Sequence, residues 1–128
     1  MSTELTTLDS VLDLGTAMTN MDGDAELLKE IMEIFLETAE EQLQSIDNFI
    51  LMGDTGQVAT QAHGMKGGAS NFCANKFVAS ALELEKLAKT GSLEGAQDLL
   101  VRMREDFTEF KDVAVVINWE EVARNWSD

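Results

Sequence analysis

The side chains that could carry chemistry are few and lie in one segment of the chain. The sequence contains one histidine, His63, and one cysteine, Cys73. Lys66 follows His63 by about one helical turn, and no aspartate or glutamate occurs between Gln57 and Leu82. An imidazole beside an ammonium group, with no carboxylate along the same segment, suits a nucleophile that meets an anionic phosphoryl group.

Metal chemistry lacks the side chains that it needs. A structural zinc site takes about four nitrogen or sulfur ligands, and one histidine with one cysteine cannot supply them. Asp22, Asp24 and Glu26 resemble the start of a calcium-binding loop, but Leu27 stands where that loop requires glycine. We therefore expect neither a metal nor a cofactor in this chain. A single cysteine also excludes an internal disulfide, which agrees with a reducing compartment.

Length and charge exclude several classes of protein. A chain of 128 residues with 45% hydrophobic residues can form one folded domain with a true core. The formal net charge of −15 repels phosphate backbones and anionic lipid headgroups, so we expect no nucleic-acid and no membrane partner. The first residues lack the pattern of a signal peptide, which predicts a cytoplasmic location. The initiating methionine and the length favour a free-standing protein.

The elements that must position His63 are predicted to be helices. The chain has no proline, and its apolar residues recur every three or four positions. Glycine and capping residues divide this pattern into four long helices: 24–52 before Gly53, a second capped by Asp54, a third capped by Asn75 and ending at Gly91, and a fourth starting at Ser92. The prediction is an all-α fold, an antiparallel up-and-down four-helix bundle with a short additional N-terminal helix within 7–20.

The apolar stripes give the expected core and the expected domain limits. The first long helix is predicted to bury Leu27, Leu28, Ile31, Ile34, Phe35, Leu43, Ile46, Phe49 and Ile50. We take 1–128 as a single domain with its core at about 8–117 and a C-terminal extension at 118–128. Trp119, Val122, Ala123 and Trp126 form a further stripe after Asn118, which we expect to pack back on the bundle in preference to contacting a partner.

Helical phase predicts that the ring of His63 points to solvent. The buried seam of its helix passes through Ala62 and Met65, away from His63. Gly64, Gly67 and Gly68 lie on the same helix, and each costs about 0.5 to 1 kcal/mol relative to alanine. Two explanations of these glycines remain open, the close approach of another molecule and close packing between helices.

The segment around His63 resembles the signature of a known family. The run Ala62-His63-Gly64-Met65-Lys66-Gly67, followed by Phe72, Ala74 and Phe77, is similar to the motif of histidine-containing phosphotransfer (HPt) domains. The run from Leu82 to Ala88, followed by Gly91, is similar to the next helix of that family, and the likeness covers roughly residues 8–117. Three positions depart from the pattern: Cys73 replaces the usual glycine, Met65 replaces leucine, and Gly64 replaces a polar residue.

The resemblance implies a phosphorelay protein that is a phosphocarrier and not an enzyme. His63 would accept a phosphoryl group from the phosphoaspartate of a response-regulator receiver domain and pass it to another receiver, while the receiver supplies magnesium and most catalytic groups. Lys66 would give electrostatic support. The docking surface would consist of Ala59, Thr60, Gly64, Gly67 and Ser70. The expected partners are receiver domains and a hybrid sensor histidine kinase, and the expected state is a monomer.

One alternative from another class of protein remains open. A non-catalytic acidic helical adaptor or chaperone module would use the bundle surface to bind a partner helix, and His63 would then be incidental. The high negative charge and the C-terminal tryptophan stripe suit this interpretation, whereas the family motif does not.

Overall fold

The computed structural model describes residues 10–126, and every regular element within that range is helical. None of these helices is long and apolar enough to cross a membrane. Predictions that concern 1–9 and 127–128, including the first residues of the N-terminal helix, lie outside the described residues. The helices that lie wholly within residues 10–126 are α1 (Leu14–Asn20), α2 (Ala25–Met52), α3 (Thr55–Ser70), α4 (Asn75–Lys89), α5 (Ala96–Ala114) and α6 (Trp119–Asn125).

The helix before His63 begins and ends where the sequence predicts, and the helix that carries His63 begins where it predicts. The Asp24 side chain accepts a hydrogen bond from the backbone of Leu27 at 3.0 Å and caps α2, which ends at Gly53 in the left-handed conformation. The Asp54 side chain accepts from the backbone of Gln57 at 3.1 Å and caps α3. These short-range caps fix the start of the helix that carries His63.

The starts of the two later long helices differ from the prediction. The residue at the N-cap of α4 is Ala74, and Asn75 is already helical and does not cap it. The helix expected from Ser92 begins instead one residue after Gly95. Gly91 and Gly95 both have positive φ, of 84° and 87°, so the backbone between them cannot continue a right-handed helix.

The short N-terminal helix is confirmed over α1, but the chain just before it is not helical. Leu12 and Asp13 interrupt the expected segment, and the Asp13 side chain caps α1 by accepting from the backbone of Thr16 at 3.1 Å. The backbone N–H of Asp13 donates to the carbonyl of Phe72 at 3.2 Å. This bond ties the N-terminal segment to the chain that follows α3.

The four long helices contact one another in sequence and around a shared core. Helix α2 packs against α3 and α5, and α4 packs against the same two helices. Phe35 of α2 lies at the centre of the aromatic core, with its ring centroid between 5.6 and 6.1 Å from those of Phe72, Phe77, Phe107 and Phe110. These packed rings hold α2 against the other long helices.

Two residues that the apolar stripe of α2 predicts to be buried are exposed. Leu27 is exposed, and Ile34 is 60% exposed. Leu27 precedes the core residue Leu28, and Ile34 precedes the core residue Phe35. One residue is about 100° of helical rotation, so both fall on the flank of the stripe. The buried line instead includes Met32 and Ala39.

The C-terminal stripe packs back on the rest of the chain, as expected. Asn118 caps α6 by accepting from the backbone of Glu121 at 3.1 Å, and α6 contacts α2. Trp119, Val122 and Trp126 are partly buried against the core, whereas Ala123 of the same stripe is exposed. The indole of Trp126 lies so close to Gly23 that a Cβ there would stand 2.3 Å from its Nε1 atom. These residues therefore give little support to a C-terminal partner-binding stripe.

Candidate functional site

His63 stands on the outer face of α3, as helical phase predicts. Its side chain is 67% exposed, while Ala62 and Met65 on either side of it are fully buried. The seam residues fix the rotation of α3 in the core, and that rotation directs the imidazole outward. The ring is therefore accessible to a second molecule.

A buried carboxylate from the neighbouring helix holds this ring. Glu85 of α4 is only 3% exposed, and its Oε2 atom lies 3.0 Å from Nδ1 of His63. The ammonium of Lys66 donates to Oε1 of Glu85 at 2.7 Å, and that of Lys89, one turn along α4, lies 2.9 Å from Oε2. We call His63, Lys66, Glu85 and Lys89 the Glu85 cluster.

The cluster keeps Glu85 ionised. Its pKa is lowered from 4.5 to about 2, chiefly by the hydrogen bond from Lys66, then by that from Lys89, with a smaller effect from His63; burial acts in the opposite direction. An ionised carboxylate can only accept hydrogen bonds, so Nδ1 of His63 must carry the hydrogen that joins them. In neutral imidazole the lone pair then lies on Nε2, which has no hydrogen-bond partner among residues 10–126.

The expectation that no carboxylate lies near His63 is therefore wrong. The segment 57–82 has no acidic residue, but packing brings Glu85 to the ring from another helix. Lys66 follows His63 by one turn, as the sequence indicates, but its ammonium bonds to Glu85, the carboxylate that also holds the ring. The sequence does contain a signal for Glu85: it falls among Ala81, Leu84 and Ala88 on the core side of α4, where a carboxylate needs partners.

The proposed docking residues surround the histidine. Ala59, Thr60, His63, Glu85 and Lys89 line a shallow depression between α3 and α4. Thr60, Gly64, Gly67 and Ser70 are exposed and Ala59 is partly buried. The hydroxyl of Ser70 donates to the carbonyl of Lys66 at 2.8 Å, so it is engaged by its own helix.

The three glycines of α3 have two different explanations. A Cβ at Gly64 or Gly67 would meet nothing within 4 Å, whereas one at Gly68 would lie 3.2 Å from the ring of Phe35. Gly68 thus allows α3 to pack closely against α2, and Gly64 and Gly67 leave open space near His63. Gly64 and Gly68 also line a second groove, between α2 and α3, together with the exposed Ile34.

No group of three or more potential metal ligands comes together within the part of the chain that the structure describes.

Two comparisons with known proteins find a match, one to a family and one to a fold. The model of the Hpt domain matches residues 30–113. The crystal structure of histidine-containing phosphotransfer protein B from Pseudomonas aeruginosa PAO1 is similar to this fold, with a TM-score of 0.75, 23% identity, and coverage of 91% of this chain and 97% of that chain. None of the curated proteins matches the sequence. The chain belongs to the Hpt domain family and is a phosphocarrier of histidine phosphotransfer in two-component signalling.

Proposed function

We propose that His63 is the phosphoacceptor and that Nε2 is the atom that carries the phosphoryl group between receiver-domain aspartates. The observation that carries this proposal is the pairing of an exposed ring with a buried, ionised Glu85 on its Nδ1 side. This bond selects the tautomer whose Nε2 lone pair faces outward and fixes the direction of attack.

In this arrangement, Nε2 of His63 is the nucleophile of the transfer step. The Nε2 lone pair attacks the phosphorus of an aspartyl phosphate, a nitrogen–phosphorus bond forms, and the bond from phosphorus to the aspartyl oxygen breaks to release the carboxylate. Attack leaves positive charge on the ring, and the Nδ1 hydrogen remains bonded to Glu85. The negative carboxylate therefore stabilises the phosphorylated ring, and the reverse step returns the group to a receiver.

Lys66 and Lys89 act as the electrostatic support. Both are bonded to Glu85 in the unphosphorylated protein, so they neutralise the buried carboxylate before transfer. Lys89 is 65% exposed and its long side chain can swing toward an incoming phosphoryl group. Lys66 is more enclosed, which suits it to holding Glu85 in position.

The wider architecture proposed here follows from the same contacts. Pairwise packing of consecutive long helices through short connections supports an antiparallel up-and-down four-helix bundle, with 1–128 as one domain. We propose that a receiver domain docks over Ala59, Thr60, Gly64, Gly67 and Ser70, and that it brings magnesium and most catalytic groups. A hybrid sensor histidine kinase as the other partner, a monomeric state and a cytoplasmic location belong to the same proposal.

The deciding experiment is phosphotransfer from receiver domains that acetyl phosphate has phosphorylated. The wild-type chain is expected to gain an acid-labile, alkali-stable label, and His63→Gln is expected to gain none. Equal labelling of both proteins, or of neither across several receivers, contradicts the role of His63.

Two further variants separate chemistry from docking. Lys66→Ala is expected to fold normally and to transfer more slowly, because Glu85 loses its shortest contact. Gly67→Leu is expected to weaken receiver binding by its bulk, since the space above Gly67 is open. Unchanged transfer by the first variant removes Lys66 from the mechanism, and unchanged binding by the second places the docking surface elsewhere.

A further inference from the structure

A second buried carboxylate lies on the far side of α4 from the phosphotransfer site. Asp106 of α5 is only 8% exposed. No hydrogen bond or ion pair joins its side chain to any of the residues that the structure describes. Its influence is limited to a small contribution to the raised pKa of Lys76, which is due mainly to the hydrogen bond from Lys76 to Glu109. No side-chain oxygen of the described residues is both fully buried and without a partner, so the Asp106 oxygens keep contact with water and can be reached from the surface.

Asp106 lines two adjoining depressions that together form a groove between α4 and α5. Among the described residues, the two cations that line the groove are already paired: Lys76 bonds to Glu109 at 2.7 Å, and Arg102 pairs with Glu83. Ala79 and Leu82 add an apolar wall. The carboxylates that line the groove outnumber its two cations and are Glu83, Glu105, Asp106, Glu109 and Asp112.

The groove is separate from the Glu85 cluster. Glu83 and Glu85 differ by two positions on α4, or about 200° of rotation, so they face opposite flanks of that helix. Glu85 faces α3 and His63, whereas Glu83 pairs with Arg102 of α5. A molecule bound in the groove would leave His63 open to a receiver domain.

We propose that this groove is a second interaction site, which takes an arginine-bearing amphipathic segment of a partner protein. A guanidinium group would reach Asp106 and form the paired hydrogen bonds that a carboxylate accepts, and an adjacent apolar side chain would contact Ala79 and Leu82. The excess of carboxylates attracts a basic segment, and the apolar wall selects one that carries hydrophobic residues beside its charge.

The test uses a fluorescein-labelled short helical peptide with arginine and leucine on one face, and its twin with citrulline in place of arginine. We expect the arginine peptide to bind the full chain at physiological salt and the citrulline peptide to bind weakly. Asp106→Asn is expected to weaken binding by about tenfold, the loss typical of a hydrogen bond to a charged group. Peptide-induced changes in the amide NMR spectrum should centre on α4 and α5.

Two variants test whether the peptide binds the groove or is only attracted to an acidic protein in general. Asp22→Asn makes the same charge change outside the groove, at an exposed turn whose positive φ asparagine tolerates, and is expected to weaken binding by less than about twofold. Ala79→Arg places a competing guanidinium in the groove at an exposed helical position and is expected to abolish binding. Equal losses for Asp106→Asn and Asp22→Asn, spectral changes spread over the whole surface, or no binding by the wild-type chain overturn the proposal.

Discussion

Replacing Glu85 by glutamine removes the charge that joins His63, Lys66 and Lys89. The pKa of Glu85 is lowered from 4.5 to about 2 by these contacts, which corresponds to at most about 3.5 kcal/mol at about 1.4 kcal/mol per pKa unit. Two of the three partners are about two-thirds exposed, so water and salt screen their contribution. We therefore expect Glu85→Gln to lower the free energy of unfolding by about 1–2 kcal/mol at pH 7.

The pH dependence of this loss has a definite sign. Because folding depresses the pKa of Glu85, its stabilisation is complete above the unfolded value of 4.5 and disappears as the pH falls toward 2. The difference in unfolding free energy between wild type and Glu85→Gln should therefore shrink to less than about half its neutral value at pH 3. Urea unfolding followed by circular dichroism at pH 7 and pH 3 measures both quantities.

Glu83→Gln provides the matched control. Glu83 lies two positions away on the same helix and pairs with Arg102, but both side chains are more than half exposed. This substitution should change the unfolding free energy by less than about 0.5 kcal/mol at either pH. A deficit for Glu85→Gln that is no larger than that of Glu83→Gln, or that is the same at pH 7 and pH 3, would refute the electrostatic account of the cluster.

Further predictions concern backbone and packing at the same helix. Gly67→Ala should raise the free energy of unfolding by about 0.5–1 kcal/mol, because a Cβ at Gly67 meets no other atom within 4 Å. Gly68→Ala should gain less or lose stability, because a Cβ at Gly68 would press on the ring of Phe35. Urea unfolding of the two variants measures the difference. An equal gain for both contradicts the assigned packing role. Cys73→Gly should stabilise the chain by up to about 1 kcal/mol, because Cys73 has a φ of 52° that glycine adopts without strain. A lower melting temperature for this variant would show that the packing of the thiol outweighs the backbone strain.

Features that depend on neighbours in sequence were predictable. Asp24, Asp54 and Asn118 cap their helices through bonds to a backbone N–H three residues later. The sequence predicts the cap at Asp54, and at Asp24 and Asn118 it predicts that a helical pattern begins. The predicted helix starts at Asn75 and Ser92 were wrong. Both residue types favour helix caps, but here they lie close to residues with positive φ. The positive φ at Cys73 and Gly95 shifts the start of the following helix. Cysteine rarely adopts a positive φ, so the residue type at position 73 does not predict this conformation.

The sequence by itself determined the helices and the outward direction of His63, because these rest on the 3.6-residue period and on bonds between residues three or four apart. It also determined the family, because the motif around His63 is local in sequence. Only the tertiary structure decided that Glu85, 22 positions from His63, holds the ring and both lysines, and that Gly68 serves packing while Gly67 leaves open space. Contacts between helices depend on how far each rotates and slides against the next, and those quantities are set by the packed core as a whole.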